Sequence, residues 1–303
     1  MRDRLLEWFD AHGRSLPGRD VREPWRVLVL EVMSQQTQID RCLRARDEFC
    51  ERFPIPAALA AATPADALRA WAGLGYNRRA LALRRAAQVA VERHGGTVPA
   101  TIDALGDLPG VGPYTARAVA ARAFGARVVP VDVNVRRVLA RILGTSSVRS
   151  IQAYADALAQ APEDGASSGV FPGTPEAGNR TGGAIGARVA DALMDLAASV
   201  CRPRHPRCAE CPLRIACVSA FAETAQPQHV PAVPAERPFP ETRRWLRGQI
   251  LRELRDAPAG AWVPVEGERG SHGHVSVREA VSALAAEGFV EIDAEGRARL
   301  SET

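Results

Sequence analysis

Apolar residues recur at helical spacing through most of the chain from Arg2 to about Val218, which predicts consecutive helices of ordinary length. Pro24 predicts the start of a helix carrying Trp25 to Gln36, since the first turn of a helix has no use for the missing N–H. Thr63-Pro64-Ala65-Asp66 predicts another start, with Thr63 as N-cap. Residues 78–93 alternate Arg with Ala, Leu and Val at helical spacing, and Gly95-Gly96 ends that helix. The period lapses at 162–187, a stretch rich in Gly, Pro, Ser and Thr that reads as a surface insertion. It lapses again in a Pro-rich linker at 221–240.

Beyond the linker the pattern changes. Arg243 to Leu254 and Val275 to Glu287 have helical spacing, Ala261 to Val265 can form a strand, and Phe289 to Leu300 reads as a hairpin. The expected fold is therefore mostly α, with residues 1–220 as the main domain and a small α/β, winged-helix-like module at 241–303.

Composition agrees with the pattern. Ala, Leu and Arg dominate while aromatics supply 5%, a mixture that suits helices better than sheet. With 303 residues, 46% of them hydrophobic, the chain can bury one long domain or two smaller ones. A formal net charge of +4 permits a polyanionic partner without establishing one. All 39 basic residues are arginine, so no side-chain amine exists to form a Schiff base. No apolar run approaches the roughly 20 residues that span a bilayer. Six cysteines without an export signal argue against a disulfide framework, so a soluble cytoplasmic protein is expected.

Three segments carry candidate chemistry. Cys201, Cys208, Cys211 and Cys217 follow the spacing C-x6-C-x2-C-x5-C, and four thiolates in one short loop can hold a zinc ion or a four-iron cluster. Leu108-Pro109-Gly110-Val111-Gly112 is a Gly-rich turn that can present N–H groups to a phosphate at the start of the next helix. Two acids sit in apolar surroundings. Asp132, twenty residues beyond Gly112, lies between valines and can cap the helix that follows. Glu31 lies among Val27, Leu28, Val29, Leu30, Val32 and Met33, where a charged carboxyl is costly and its pKa should rise. A helical Glu at a partly exposed position is the plainer account of the same residue.

Taken together, these segments resemble the endonuclease III superfamily of helix-hairpin-helix DNA glycosylases over roughly residues 1–220. The cysteine spacing resembles that superfamily's [4Fe–4S] loop, and Leu108 to Ala116 resembles its hairpin, with Gly110, Val111 and Gly112 at the DNA phosphate. Glu31-Val32-Met33-Ser34-Gln35-Gln36-Thr37-Gln38 looks like the signature of the A/G-specific adenine DNA glycosylases. The resemblance implies Glu31 as proton donor and water activator, Asp132 as stabiliser of a cationic sugar, and Asn134 as support for the sugar and its hydrogen bonds. Tyr114 occupies the place where strand-cutting relatives carry a lysine, which implies hydrolysis to an abasic site without strand scission. Gly73-Leu74-Gly75-Tyr76 is similar to the G-x-G-Y whose tyrosine wedges into the duplex, and Gln36 to a glutamine that enters the base stack. Arg78, Arg79, Arg84, Arg85, Arg136 and Arg137 are candidates for the DNA path.

The implied partner is double-stranded DNA holding a mispair or an oxidised guanine, bound by a monomer. The sequence also departs from the family: Ser34 stands where leucine is usual, Gly18 where tryptophan commonly follows Leu-Pro, and 162–187 is inserted. The 86 residues after Cys217 are too few for the Nudix-like domain that many members carry. Two other functions fit the same motifs: a thymine or uracil mismatch glycosylase of this fold, and a non-catalytic iron–sulfur protein that binds lesions. Gln35-Gln36-Thr37 speaks against the first, and the presence of both acids against the second.

Overall fold

The computed structural model describes residues 1–160, 185–220 and 238–303. In chain order the helices are α1 (Arg2–His12), α2 (Pro24–Ser34), α3 (Ile39–Arg52), α4 (Pro56–Ala60), α5 (Pro64–Ala70), α6 (Arg78–His94), α7 (Ile102–Gly106), α8 (Pro113–Phe124), α9 (Val133–Leu143), α10 (Val148–Gln160) and α11 (Ile185–Ser199). After the cysteine loop come α12 (Arg243–Asp256), β1 (Val263–Pro264), α13 (His274–Ala286), β2 (Val290–Ile292) and β3 (Arg297–Leu300). No helix among the described residues is long and apolar enough to cross a membrane.

Two compact units share these elements. The first comprises the described residues of Met1–Glu31, Pro99–Asp107 and Val111–Val230; the second comprises those of Val32–Val98, Leu108–Gly110 and Pro231–Thr303. The core of the first unit rests on α9, whose Val135, Val138, Leu139 and Ile142 fall on one helical face and are all buried. They meet Leu193 and Leu196 of α11, Ile151 and Leu158 of α10, and Leu5 of α1. Gly186, in the first turn of α11, permits a close approach: a Cβ there would lie 2.2 Å from the Val128 carbonyl oxygen.

In the second unit Phe49 meets Trp71 edge-on with ring centroids 5.8 Å apart. The residues after the linker belong to this same unit. On α12, Leu246, Ile250, Leu251 and Leu254 are buried. The three strands form an antiparallel sheet in the order β1-β3-β2, with Val263 opposite Ala298 and Val290 opposite Leu300. Its end is stitched to α5 by a backbone bond from Ala65 N–H to the Ser301 carbonyl at 2.8 Å. Glu287, just after α13, accepts from Arg247 and from Arg78 at the start of α6.

Several expected element ends hold. The Thr63 hydroxyl accepts from Asp66 N–H at 3.1 Å, and Gly95 closes α6 in the left-handed region. Others shift. The helix that Pro24 opens stops at Ser34, two residues short of Gln36, because Gln36 takes φ 59° and leaves the helical region. The expected insertion at 162–187 lies outside the described residues as far as 184, and its last three residues open α11 instead. The expected linker lies outside them as far as 237.

Candidate active site

Helix α2 positions the first acid. Six of its residues are valine, leucine or methionine and all six are buried, so burial rather than intrinsic helix propensity holds it. Its start is fixed by Glu23, whose carboxylate accepts from the N–H groups of Trp25 at 2.9 Å and Arg26 at 2.7 Å. The Glu31 side chain is 12% exposed, and its Oε1 lies 4.0 Å from Nε of Arg122 on α8. Burial pushes the Glu31 carboxyl above the ordinary carboxylate range; Arg122 opposes that shift and the nearby Asp191 adds to it.

Arg122 belongs to a ladder of charges within the first unit. It bonds Asp191 of α11 at 2.9 Å, and Arg19 stands 3.7 Å from Asp191 and 2.7 Å from Asp195. Arg14 closes the ladder at 2.7 Å from Asp195, whose side chain is 1% exposed. Burial works against the Arg122 charge, yet Asp191, Glu31 and Tyr114 together outweigh it, so the guanidinium stays charged.

The second acid caps α9, as its place before that helix predicted. Asp132 Oδ1 accepts from Asn134 N–H at 2.9 Å and Val135 N–H at 2.7 Å, while Oδ2 accepts from the Asn134 side-chain amide at 2.9 Å. Asn134 in turn accepts from Arg137 Nη1 at 2.9 Å. The aspartate is thus locked in one orientation by its own helix. Tyr114, in the first turn of α8, lies within electrostatic reach of both acids. Its hydroxyl is pushed far up, first by burial and then by Glu31 and Asp132.

The hairpin runs from α7 to α8. Gly110 takes φ +82°, Val111 is buried, and Gly112 is the exposed N-cap of α8. In the second unit Gln36 and Tyr76 are two of three non-glycine residues with positive φ among the described residues, at 59° and 46°. Both turns are held by Arg79, which donates to the carbonyls of Val32, Met33, Gln35, Leu74 and Gly75 and to the Thr37 hydroxyl. Tyr76 is 42% exposed, and Arg244 of α12 donates to its hydroxyl at 2.9 Å.

The four cysteines line one small cavity of about 40 Å³ in the first unit, walled by Val138, Ile142 and Leu196. All four thiols are partly exposed and free of disulfides. Cys211 is pushed up by burial and by the charges of Cys201, Cys217 and Cys208, which brings all four into mutual range. A donor set of four thiols that repel one another as thiolates fits a bound cationic group. Arg141 donates to Cys201 Sγ at 3.4 Å, and Arg137 to the Cys201 carbonyl at 3.2 Å. Cys42 and Cys50 are buried on α3, which belongs to the second unit.

Sequence reasoning missed Arg122 and Asp191, which lie 69 positions apart and carry no local signal. Three of the arginines that were candidates for the DNA path are engaged by the protein's own backbone. Arg79 holds the two turns described above, Arg84 donates to the Ala62 carbonyl at 2.6 Å, and Arg137 to those of Ala197 and Cys201.

Residues 29–161 match the family described as HhH-GPD superfamily base excision DNA repair protein. The chain is 39% identical over 266 residues to the adenine DNA glycosylase of Mycobacterium tuberculosis, covering 84% of this chain and 78% of that one. It is 36% identical over 306 residues to the adenine DNA glycosylase of Mycolicibacterium smegmatis, covering 98% and 94%. Among solved structures, a thermostable thymine-DNA glycosylase superposes with a TM-score of 0.60 at 26% identity, over 72% of this chain and 94% of that one.

Proposed function

The chain belongs to the adenine DNA glycosylase family of the HhH-GPD base excision repair superfamily, and from that membership we propose that it hydrolyses the N-glycosidic bond of adenine mispaired with 8-oxoguanine or guanine. The observation that carries the reading is the enclosed Glu31 carboxyl, 4.0 Å from Arg122, with Asp132 locked in the same unit. A carboxyl raised by burial keeps its proton where an ordinary glutamate has lost it, and adenine is a poor leaving group until protonated.

In this mechanism Glu31 gives its proton to N7 of adenine as the C1′–N9 bond breaks, and the bonding pair leaves with the base. Asp132, its carboxylate held by its own helix N-terminus, stabilises the cationic sugar. Water then adds to C1′ and returns a proton to the Glu31 carboxylate. Two carboxyls divide the work as they do in glycoside hydrolysis generally. Tyr114, within electrostatic reach of both, is a neutral phenol and supplies no amine. With no lysine in the chain, no side chain can form a Schiff base with the sugar, so the product is an intact strand with an abasic site.

Cys201, Cys208, Cys211 and Cys217 would hold a [4Fe–4S] cluster. Four thiols from one loop, lining one cavity, are the donor set such a cluster takes. These four residues would tie the loop together through such a cluster, whose core would offset part of the thiolate charge, apart from the bond-breaking chemistry.

Single-turnover release of base from duplexes holding A opposite 8-oxoguanine, A opposite G, T opposite G or U opposite G tests the reading, beside Glu31→Gln. Adenine release that needs alkali for strand scission, and vanishes in Glu31→Gln, is the expected outcome. Release of T or U alone would move the chain to the mismatch-pyrimidine reaction. Tight lesion binding with no release would make it a binding protein.

A further inference from the structure

A cavity of about 1040 Å³ opens in the second unit between the Gln35–Gln38 turn, the Gly73–Arg79 segment and one face of α12. It matches the upper end of small-molecule sites in size but not in lining. Seven arginines line it, and among the described residues no aspartate or glutamate does. Arg78 and Arg247 pair with Glu287, while Arg79 and Arg41 donate to backbone carbonyls, Arg244 to the Tyr76 hydroxyl and Arg255 to the Asn77 side chain. Arg41, Arg244, Arg252 and Arg255 make no ion pair with a described residue, and Asp256 beside Arg255 offsets only part of the like charge that lines the cavity. A fold keeps such a cluster at a cost in self-repulsion, and a polyanion removes that cost.

Aromatic faces accompany the charge. The Arg244 guanidinium lies 4.9 Å from the centroid of Tyr76 and 4.9 Å from that of Phe239, and these rings are 42% and 52% exposed. Exposed rings beside a basic groove are the chemistry by which proteins hold nucleic acid, phosphates on arginine and bases on ring faces. Arg244 also donates to the Tyr76 hydroxyl at 2.9 Å, so a residue of the C-terminal module fixes the tyrosine's side chain while its φ of 46° fixes its backbone.

We propose that the C-terminal module is part of the DNA-binding surface, its helix α12 forming one wall of a cleft that takes the phosphodiester backbone of the substrate duplex. Arg41, Arg252 and Arg255 meet phosphates, and Arg244 is the positioning residue for Tyr76. The proposal rests on the DNA glycosylase reading for its ligand, and it assigns the module a role that the catalytic residues do not require.

The test uses the full chain with Glu31→Gln added to stop turnover. Binding to an undamaged duplex and to one holding A opposite G is titrated across a range of NaCl concentrations. Arg252→Ala, exposed and on the cleft wall, should lower the slope of log K against log salt by about one, as should Arg255→Ala. Arg243→Ala removes the same charge from the same helix, but Arg243 pairs with Glu279 and does not line the cleft, so its slope should stay that of the parent. Arg244→Ala should abolish the fluorescence rise of 2-aminopurine placed beside the mispair, as should Tyr76→Ala, and Arg244→Lys should restore it only in part. Unchanged slopes in both cleft variants would overturn the proposal, and so would an equal loss in Arg243→Ala. Should Arg255→Ala lose its fold by thermal melting, Arg252→Ala still decides. If the parent chain with Glu31 intact released no adenine while the slopes fell as stated, the cleft would stand and the catalytic reading would fall.

Discussion

Arg137 joins Asn134 to Cys201: its Nη1 donates to the asparagine side chain at 2.9 Å and its Nε to the cysteine carbonyl at 3.2 Å. Because Asn134 also donates to Asp132, one guanidinium connects the acid before α9 to the first cysteine of the loop. Removing that guanidinium should loosen both ends. For Arg137→Ala a fall of about 10–100-fold in single-turnover base release is expected, the range typical of residues that orient a functional ligand. The visible absorbance of the proposed iron–sulfur cluster should fade faster under oxidation in the same variant. Combined with Asn134→Ala, the two losses should fail to add. Strict additivity would mean that the relay does not exist.

The pH profile should report the Glu31 surroundings. Base release needs the protonated acid, so the rate falls as pH rises through a value that burial has lifted above the ordinary carboxylate range. Arg122→Gln removes a positive neighbour and should move that alkaline limb to higher pH. Asp191→Asn removes a negative neighbour and should move it lower. Limbs that shift in the opposite senses would rule out Glu31 as the titrating acid.

Asp195 should matter to stability rather than to chemistry. Hydrogen bonds from Arg19 and Arg14 overcome the effect of burial and hold its carboxyl below the usual range. A depressed carboxyl contributes stability above its unfolded pKa of about 3.9, and that contribution fades as pH falls through the folded value. Asp195→Asn should therefore cost about 1–3 kcal/mol in urea unfolding near neutrality, since the part-buried Arg19 loses one of its two carboxylates while the exposed Arg14 is screened by solvent. The gap between the variant and the parent should narrow in acid. A gap that widened would contradict the assignment.

The hairpin offers a contrast between two glycines two positions apart. Gly110 has φ +82°, and a Cβ there would sit 2.7 Å from the Ala82 Cβ. Gly112 has φ −88° and open space around it. Gly110→Ala should lose about 1–3 kcal/mol, whereas Gly112→Ala should melt within a degree or two of the parent. Equal losses would show that the turn is not strained at Gly110.

What was legible in the sequence was local. Thr63 as a cap, Gly95 as a stop, the start of α2 at Pro24 and the cap at Asp132 each depend on a few adjacent residues, and each stands in the structure. The cysteine spacing was legible for the same reason. The Arg122–Asp191 pair was not, because in a chain whose every cation is arginine one more Arg on a helix carries no signal. The end of α2 was misjudged because its carbonyls bond a guanidinium more than 40 positions away. Membership of residues 238–303 in the unit that holds 32–98 was also hidden, since the bond from Ala65 to Ser301 joins backbone groups that any sequence possesses.

The absence of lysine, which base composition alone could produce, has a different standing at Arg79. Five carbonyls and a hydroxyl take its N–H groups, drawn from turns that begin more than 40 positions before it and end just before it. An ammonium carries three donors from a single point and could not reach both turns. Most of the surface arginines are therefore open to exchange, but lysine at this position would release Gln36 and Tyr76 together. Natural variation at this codon should be far narrower than at its neighbour Arg78.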